Sequence, residues 1–218
     1  MSSTRPKAED QSGSRQPSAP RTRRGTSPKK REQEILDAAA EIFHRQGYSD
    51  TSVQNVADAV GILKGSLYYY IDSKDDLLYR VLLEVHGEAV GIIEDVAAMS
   101  ELTPIEKLDA YLRRHVEYNT QNLTKIAVYY HDHNQLAPER RERIRQQRRI
   151  YEDFVEGLIR DGQELCEIDS SFDPRILAYC LFGAANWIYT WYRPGGRVSA
   201  ETLSDTIASF ILDGIRAK

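Results

Sequence analysis

The residues best suited to do chemistry lie in two places. The run Lys64-Gly65-Ser66-Leu67-Tyr68-Tyr69 brings together a cation, a hydroxyl, two phenols and a glycine. Cations, hydroxyls and free helix N-terminal amides are what a surface facing phosphate oxygens needs, and Gly65 lets backbone or a thymine methyl come close. Farther along, residues 111–192 hold eight tyrosines, both tryptophans and the three histidines His115, His131 and His133. A tyrosine offers a flat apolar face and a hydroxyl, which suits a pocket that orients an apolar ligand through a few polar contacts. Tyr111, His115, Tyr118, Tyr129, Tyr130, Asn186, Trp187 and Tyr189 are the candidate lining residues, although any one of them alone reads more simply as core.

Other reactive groupings are weaker. On a helix, His131 and His133 are two positions apart and point to different faces, so no shared metal ion is expected. Six arginines fall within residues 139–149, and they read either as a solvated face paired with Glu139, Glu142 and Glu152 or as a phosphate-binding rim. Arg145 and Arg148 carry that second reading. The chain has no G-x-S-x-G, no H-E-x-x-H and no glycine loop that would cradle a phosphate, so neither catalysis nor a cofactor is expected. Cys166 and Cys180 are the only cysteines, too few for a disulfide framework, and read as two small core hydrophobes.

The elements that position these residues are helices. With 218 residues, 41% of them apolar and 28% charged, the chain has the composition of one or two globular domains. No apolar run is long enough for a membrane span and the N-terminus lacks a secretory stretch, so a cytoplasmic protein with no membrane partner is expected. Residues 1–31 carry nine Lys/Arg against Glu9 and Asp10, while the remainder has a balance of -11. A basic arm on an acidic body meets a polyanion at one end only. Residues 1–26 are too polar to fold and read as a disordered tail, in which Arg23 and Arg24 either stay solvated or touch phosphates or a minor groove.

Caps and apolar spacing then predict nine helices, three small and six longer, and no sheet. Ser27 and Pro28 open the first, which Gly47 ends; a second starts at Thr51 with Gln54 as its capping-box partner. A third covers residues 62–70, and Ser73 caps a long fourth. Thr103-Pro104-Ile105-Glu106 is a capping box, Pro138 and Asp173-Pro174 open two more helices, and a last one runs from about Ser199 to Arg216. The helix opened by Pro174 is expected to reach Arg193.

The two short helices joined by a glycine turn form a helix-turn-helix, with Val56, Ala57, Val60, Ile62 and Leu67 inside and Lys64, Ser66, Tyr68, Tyr69 and Lys74 outside. Residues 47–82, from Gly47-Tyr48-Ser49-Asp50-Thr51-Ser52-Val53 through Gly61-Ile62-Leu63-Lys64-Gly65-Ser66-Leu67-Tyr68-Tyr69-Tyr70 to Lys74-Asp75-Asp76-Leu77, resemble the DNA-binding signature of TetR-family repressors. The resemblance implies an all-α homodimer, with a helix-turn-helix domain over 27–72 and a ligand-binding and dimerisation domain over 73–218. It implies phosphate contacts from Thr51 and Ser52, recognition by Lys64, Gly65, Ser66, Tyr68 and Tyr69, and a phosphate clamp at Lys74. Leu63 departs from the family's small hydroxyl residue at the recognition-helix start, and Ile71 from its usual Phe.

The partners this implies are a palindromic DNA operator, a second copy of the chain and a small effector that releases the DNA. The helices of residues 174–192 and 199–216, with apolar stripes and the small Gly183-Ala184-Ala185 patch, are the expected dimer-forming pair. The run Trp191-Tyr192-Arg193-Pro194-Gly195-Gly196 is similar to one in TetR-type regulators of steroid and fatty-acid catabolism, which makes an acyl-CoA thioester the leading effector. The alternative is a DNA-binding protein that answers to no effector.

Overall fold

The computed structural model describes residues 27–217, so the tail with Arg23 and Arg24 lies outside it. Helix α1 (Pro28–Gln46) starts where the Ser27 hydroxyl accepts the Lys30 N–H, with proline in the first turn. Gly47 ends it at φ +85°, a left-handed geometry that a side chain would strain, and donates its N–H to the Phe43 carbonyl. Helix α2 (Val53–Ala59) is capped one residue later than expected. The Ser52 hydroxyl accepts the Asn55 N–H at 3.2 Å, and Asn55 Oδ1 accepts the Ser52 N–H at 2.8 Å. Gly61, at φ +69°, turns the chain into α3 (Lys64–Leu67).

Six further helices follow: α4 (Lys74–Ala97), α5 (Pro104–Gln121), α6 (Leu123–Asp132), α7 (Pro138–Glu164), α8 (Pro174–Asn186) and α9 (Ala200–Ile215). Ser73, Asp173 and Ser199 cap α4, α8 and α9 as their positions predict. Of the Thr103 box only the Glu106 half forms, its carboxylate accepting the Thr103 N–H at 2.9 Å. The expected nine helices are present among the described residues, but α1 is 19 residues long rather than small. The α8 helix stops at Asn186, short of Arg193, because the next turn tightens into a 3₁₀ helix over Trp187–Thr190.

Among the described residues the fold is all-α, apart from a single bridge at Ile168 and Arg216 where residues 215–217 clasp the turn after α7. One core cluster gathers Ile35, Phe43, Val56, Ala57, Leu67, Ile71, Leu78 and Leu82 and extends into α6 and α7 through Val128 and Ile144. A second joins the later part of α4 to α5, α7, α8 and α9 around Leu108, Val155, Leu181 and Leu212. The α4 and α7 helices belong to both, so together they link the two ends. Neither cysteine is core: Cys166 sits exposed in the turn after α7 at φ +56°, and Cys180 lies on the outer side of α8. The turn's left-handed backbone and the outward phase of α8 override the apolar character of the thiol.

A core that runs through α4 predicts that the described residues unfold as one cooperative unit. Leu82→Ala, at a fully buried position, should cost about 2–5 kcal/mol. In urea unfolding, far-UV circular dichroism and the fluorescence of Trp187 and Trp191 should shift together; two separate transitions would mean that the halves fold independently.

Candidate nucleic-acid interface and ligand cavity

The helix-turn-helix sorts its side chains as binding requires. Val56, Ala57 and Leu67 are fully buried, and Val60 and Ile62 pack against them. Ile71, 2% exposed, replaces a phenyl ring under α3 with a smaller branched group. Lys64, Gly65 and Ser66 are exposed, as are Tyr68 and Tyr69, the latter 86% so. Two phenols held in water at a stability cost form a surface made for contact. Leu63 provides no side-chain cap for α3, leaving the helix-start amides without a hydroxyl acceptor. Ser52 is likewise exposed at the start of α2, with its hydroxyl and amide engaged by Asn55.

Two expected phosphate contacts are occupied elsewhere. Thr51 is 2% exposed, and its hydroxyl donates to the Gly47 carbonyl at 2.8 Å and accepts from Gln46 at 3.2 Å. Lys74 points inward rather than out. Its ammonium donates to the carbonyls of Tyr48, Ser49 and Thr51 at 3.0, 3.2 and 2.9 Å and lies 4.3 Å from the centre of the Tyr48 ring. An ammonium has three N–H donors, and these carbonyls use all of them. Thr51 and Lys74 therefore hold the turn before α2, a positioning role.

The start of α4 is bound to α7. Asp76, 5% exposed, accepts from Arg140 at 3.0 Å and from Arg80 at 2.9 Å. Asp75 takes the other Arg140 nitrogen at 2.8 Å and also accepts the Ala137 N–H at the head of α7. Lys125 of α6 bridges Asp37 of α1 and Glu84 of α4 at 2.8 and 2.9 Å.

The aromatic region builds a cavity in two parts. An inner chamber of about 20 Å³ lies where five helices meet: Val85, His86 and Ala89 from α4, His115, Tyr118 and Asn119 from α5, Ile126, Tyr129 and Tyr130 from α6, Tyr151 from α7 and Asn186 from α8. An outer cavity of about 210 Å³ shares Tyr130, Tyr151 and Asn186 with it and adds Arg148, Glu152, Phe182, Gly183, Trp187 and Tyr189. Tyr130 and Tyr189 stack at 5.4 Å, with Trp187 edge-on to Tyr189 at 5.9 Å. At the mouth Arg148 pairs with Glu152 at 3.0 Å, and burial raises the Glu152 pKa. Seven of the eight expected lining residues and Arg148 converge here. Tyr111 does not: it is fully buried core, stacked on His115 and edge-on to Phe154 and Phe182. Arg145 stands apart too: one helical turn before Arg148, it is exposed, pairs with Glu142 and is not among the cavity's lining residues.

His86, Tyr151, Glu152 and Phe182 were not among the expected lining residues. His86 interrupts the apolar stripe of α4 between Val85 and Ala89, and a lone imidazole among buried aliphatic side chains was the available signal. His131 and His133 diverge, the first edge-on to Tyr189 and the second donating from Nδ1 to the Tyr129 carbonyl. A wider groove of about 890 Å³ lies between α1, the start of α6 and residues 189–194. The smaller cavity has aromatic walls and buried polar groups, the character of a ligand site.

Comparison with known proteins follows the same division. A model described as "Bacterial regulatory proteins, tetR family" matches residues 35–81, and one described as "Tetracyclin repressor-like, C-terminal domain" matches residues 101–215. The HTH-type transcriptional repressor KstR2 of Rhodococcus jostii is 30% identical over 191 residues, which cover 85% of this chain and 91% of that protein. The structure of the ketosteroid transcriptional regulator KstR2 of Mycobacterium tuberculosis superposes with a TM-score of 0.80 at 23% identity, over 86% of this chain and 96% of that one. AibR, solved in complex with isovaleryl coenzyme A and operator DNA, superposes with a TM-score of 0.75 at 27% identity, over 83% and 97% of the two chains.

The cavity walls carry a pH signature. Burial, followed by the charges of Arg148 and His133, pushes the His86 pKa down from 6.5 to about 4. The unfolded chain therefore binds a proton below about pH 6.5 that the folded chain does not take up until about pH 4. Stability should fall as pH drops across that interval, with His86 contributing about 3 kcal/mol of the loss. Urea titrations between pH 4 and 7 should show a flatter slope for His86→Phe; an unchanged slope would remove His86 from the account.

Proposed function

The chain belongs to the TetR family of bacterial regulatory proteins, and from that premise we propose that it is a ligand-responsive repressor whose dimer binds a palindromic operator and is released by a hydrophobic effector, with an acyl-CoA thioester as the leading class. The observation that carries this reading is the double role of α4. Its first turn, Ser73 to Asp76, locks onto the helix-turn-helix and α7, and two turns later Val85, His86 and Ala89 form a cavity wall. A ligand that prefers a shifted α4 changes the placing of Lys64, Ser66, Tyr68 and Tyr69, and by linkage the operator weakens that ligand's binding in return. Arg148 at the cavity mouth is suited to a phosphate of the coenzyme, exchanging its pairing with Glu152 for phosphate oxygens. AibR, solved with isovaleryl coenzyme A and operator DNA, supports both partners by similarity.

Fluorescence anisotropy of the full-length protein on DNA upstream of its own gene tests this reading. Tight, competitor-resistant binding released by one member of an acyl-CoA panel is expected, with Lys64→Ala and Tyr68→Ala binding at least about tenfold more weakly. Tight binding that no acyl-CoA releases would keep the repressor and discard the acyl-CoA class. Sequence-tolerant binding that no effector releases would favour the effector-independent alternative, and absence of specific binding to any operator would overturn the repressor.

A second copy is the expected cover for the outer face of α8 and α9. Ile176, Tyr179, Cys180, Gly183, Ala184 and Trp187 are spaced as one helical stripe, all exposed, with Phe210 beside them on α9 at 79% exposure. Two recognition segments about 34–36 Å apart are what a palindrome requires. Phe210→Asp should leave helicity intact and yield a monomer in analytical ultracentrifugation; a persistent dimer would place the interface elsewhere.

A further inference from the structure

One amide fixes the polarity of the inner chamber. A backbone carbonyl only accepts, so the Asn119 side chain that meets the Ala185 carbonyl at 3.0 Å presents its nitrogen there. That nitrogen also lies 3.1 Å from the Asn186 side-chain oxygen. His115 Nε2, 2.7 Å from the same oxygen, is therefore the protonated ring nitrogen. Burial lowers the His115 pKa and keeps the ring neutral, so its Nδ1 carries a bare lone pair. Asn119 Oδ1 and His115 Nδ1 are both buried and without a hydrogen-bond partner among the described residues, as is His86 Nε2. The three side chains are 0%, 5% and 1% exposed and line one chamber of about 20 Å³, the space of a single oxygen atom.

Deepening the effector-cavity reading above, on which it rests, we propose that the inner chamber recognises a neutral hydroxyl at the buried end of an otherwise apolar effector. The hydroxyl donates its proton to Asn119 Oδ1 or His115 Nδ1. With the Tyr151 hydroxyl donating to His86 Nδ1, 3.4 Å away, His86 Nε2 carries a proton and donates to the hydroxyl oxygen. A ketone or ether accepts only and leaves both acceptors unpaired, as does a bare hydrocarbon end. A carboxylate sets its charge against two lone pairs in a chamber that offers it no cation among its lining residues.

Three probes separate these cases: 2-naphthol, the near-isosteric 2-fluoronaphthalene, which has no donor, and naphthalene, titrated calorimetrically into the full-length protein. The donor, 2-naphthol, is expected to bind at least about tenfold tighter than 2-fluoronaphthalene. His115→Phe should erase most of that preference. Should that variant not fold, imidazole ¹⁵N NMR of the unaltered chain reads the same point. His115 Nδ1 should resonate as an unprotonated nitrogen and move with 2-naphthol but not with 2-fluoronaphthalene. Equal affinities, no binding of 2-naphthol, or a protonated His115 Nδ1 would each overturn the proposal. Neither readout involves DNA or coenzyme A. Absence of specific operator binding would sink the functional reading with the hydroxyl preference standing, and equal probe affinities would do the reverse.

Discussion

A carboxylate taken out of water needs partners, and Asp76 finds them in three parts of the chain. Arg80 lies one turn along the same helix, Arg140 comes from α7, and the Asp72 N–H belongs to the turn before α4. Removing either arginine would leave a buried charge under-compensated, which is more costly than losing an exposed ion pair. The start of α4, the head of α7 and the exit from the helix-turn-helix are thereby held in one arrangement. Arg80 extends the lock to Glu32 of α1, and Lys74 adds a tether to the turn before α2. The recognition segment, a single turn of helix, owes its placement to this network rather than to its own length.

What the sequence made legible was local. Ser27, Ser73, Asp173 and Ser199 cap helices a few residues away, so their roles can be read from spacing. The cap of α2 was misplaced by one position because Thr51 and Ser52 offer the same hydroxyl. What separates them is that Gln46 and Gly47 bury the first. The Lys74 contacts are hidden for a related reason: its three carbonyls are 23 to 26 residues distant, and sequence shows the charge but not the acceptors.

The cavity was legible as a region and not as a wall. Tyrosines and tryptophans announced an aromatic neighbourhood, yet Tyr111 fills core while Tyr151 faces the chamber, a difference set by helix phase and packing. Arg145 and Arg148 are the same residue type one turn apart on one helix, and only the second is placed at the cavity. Gly183 and Trp187 belong both to the outer cavity and to the exposed stripe on α8, so pairing through that stripe would place the cavity mouth beside a partner subunit.

The side chains proposed to face DNA have a different standing from everything beneath them. Lys64, Ser66, Tyr68 and Tyr69 are exposed, while Leu67 between them is wholly buried. Exchanging the exposed residues leaves the core untouched, and surface changes of this kind cost little stability. On the proposed reading, operator choice drifts by single substitutions while the chamber, the Asp76 network and the α8 face stay fixed, so a duplicated copy acquires a new promoter before it acquires a new signal.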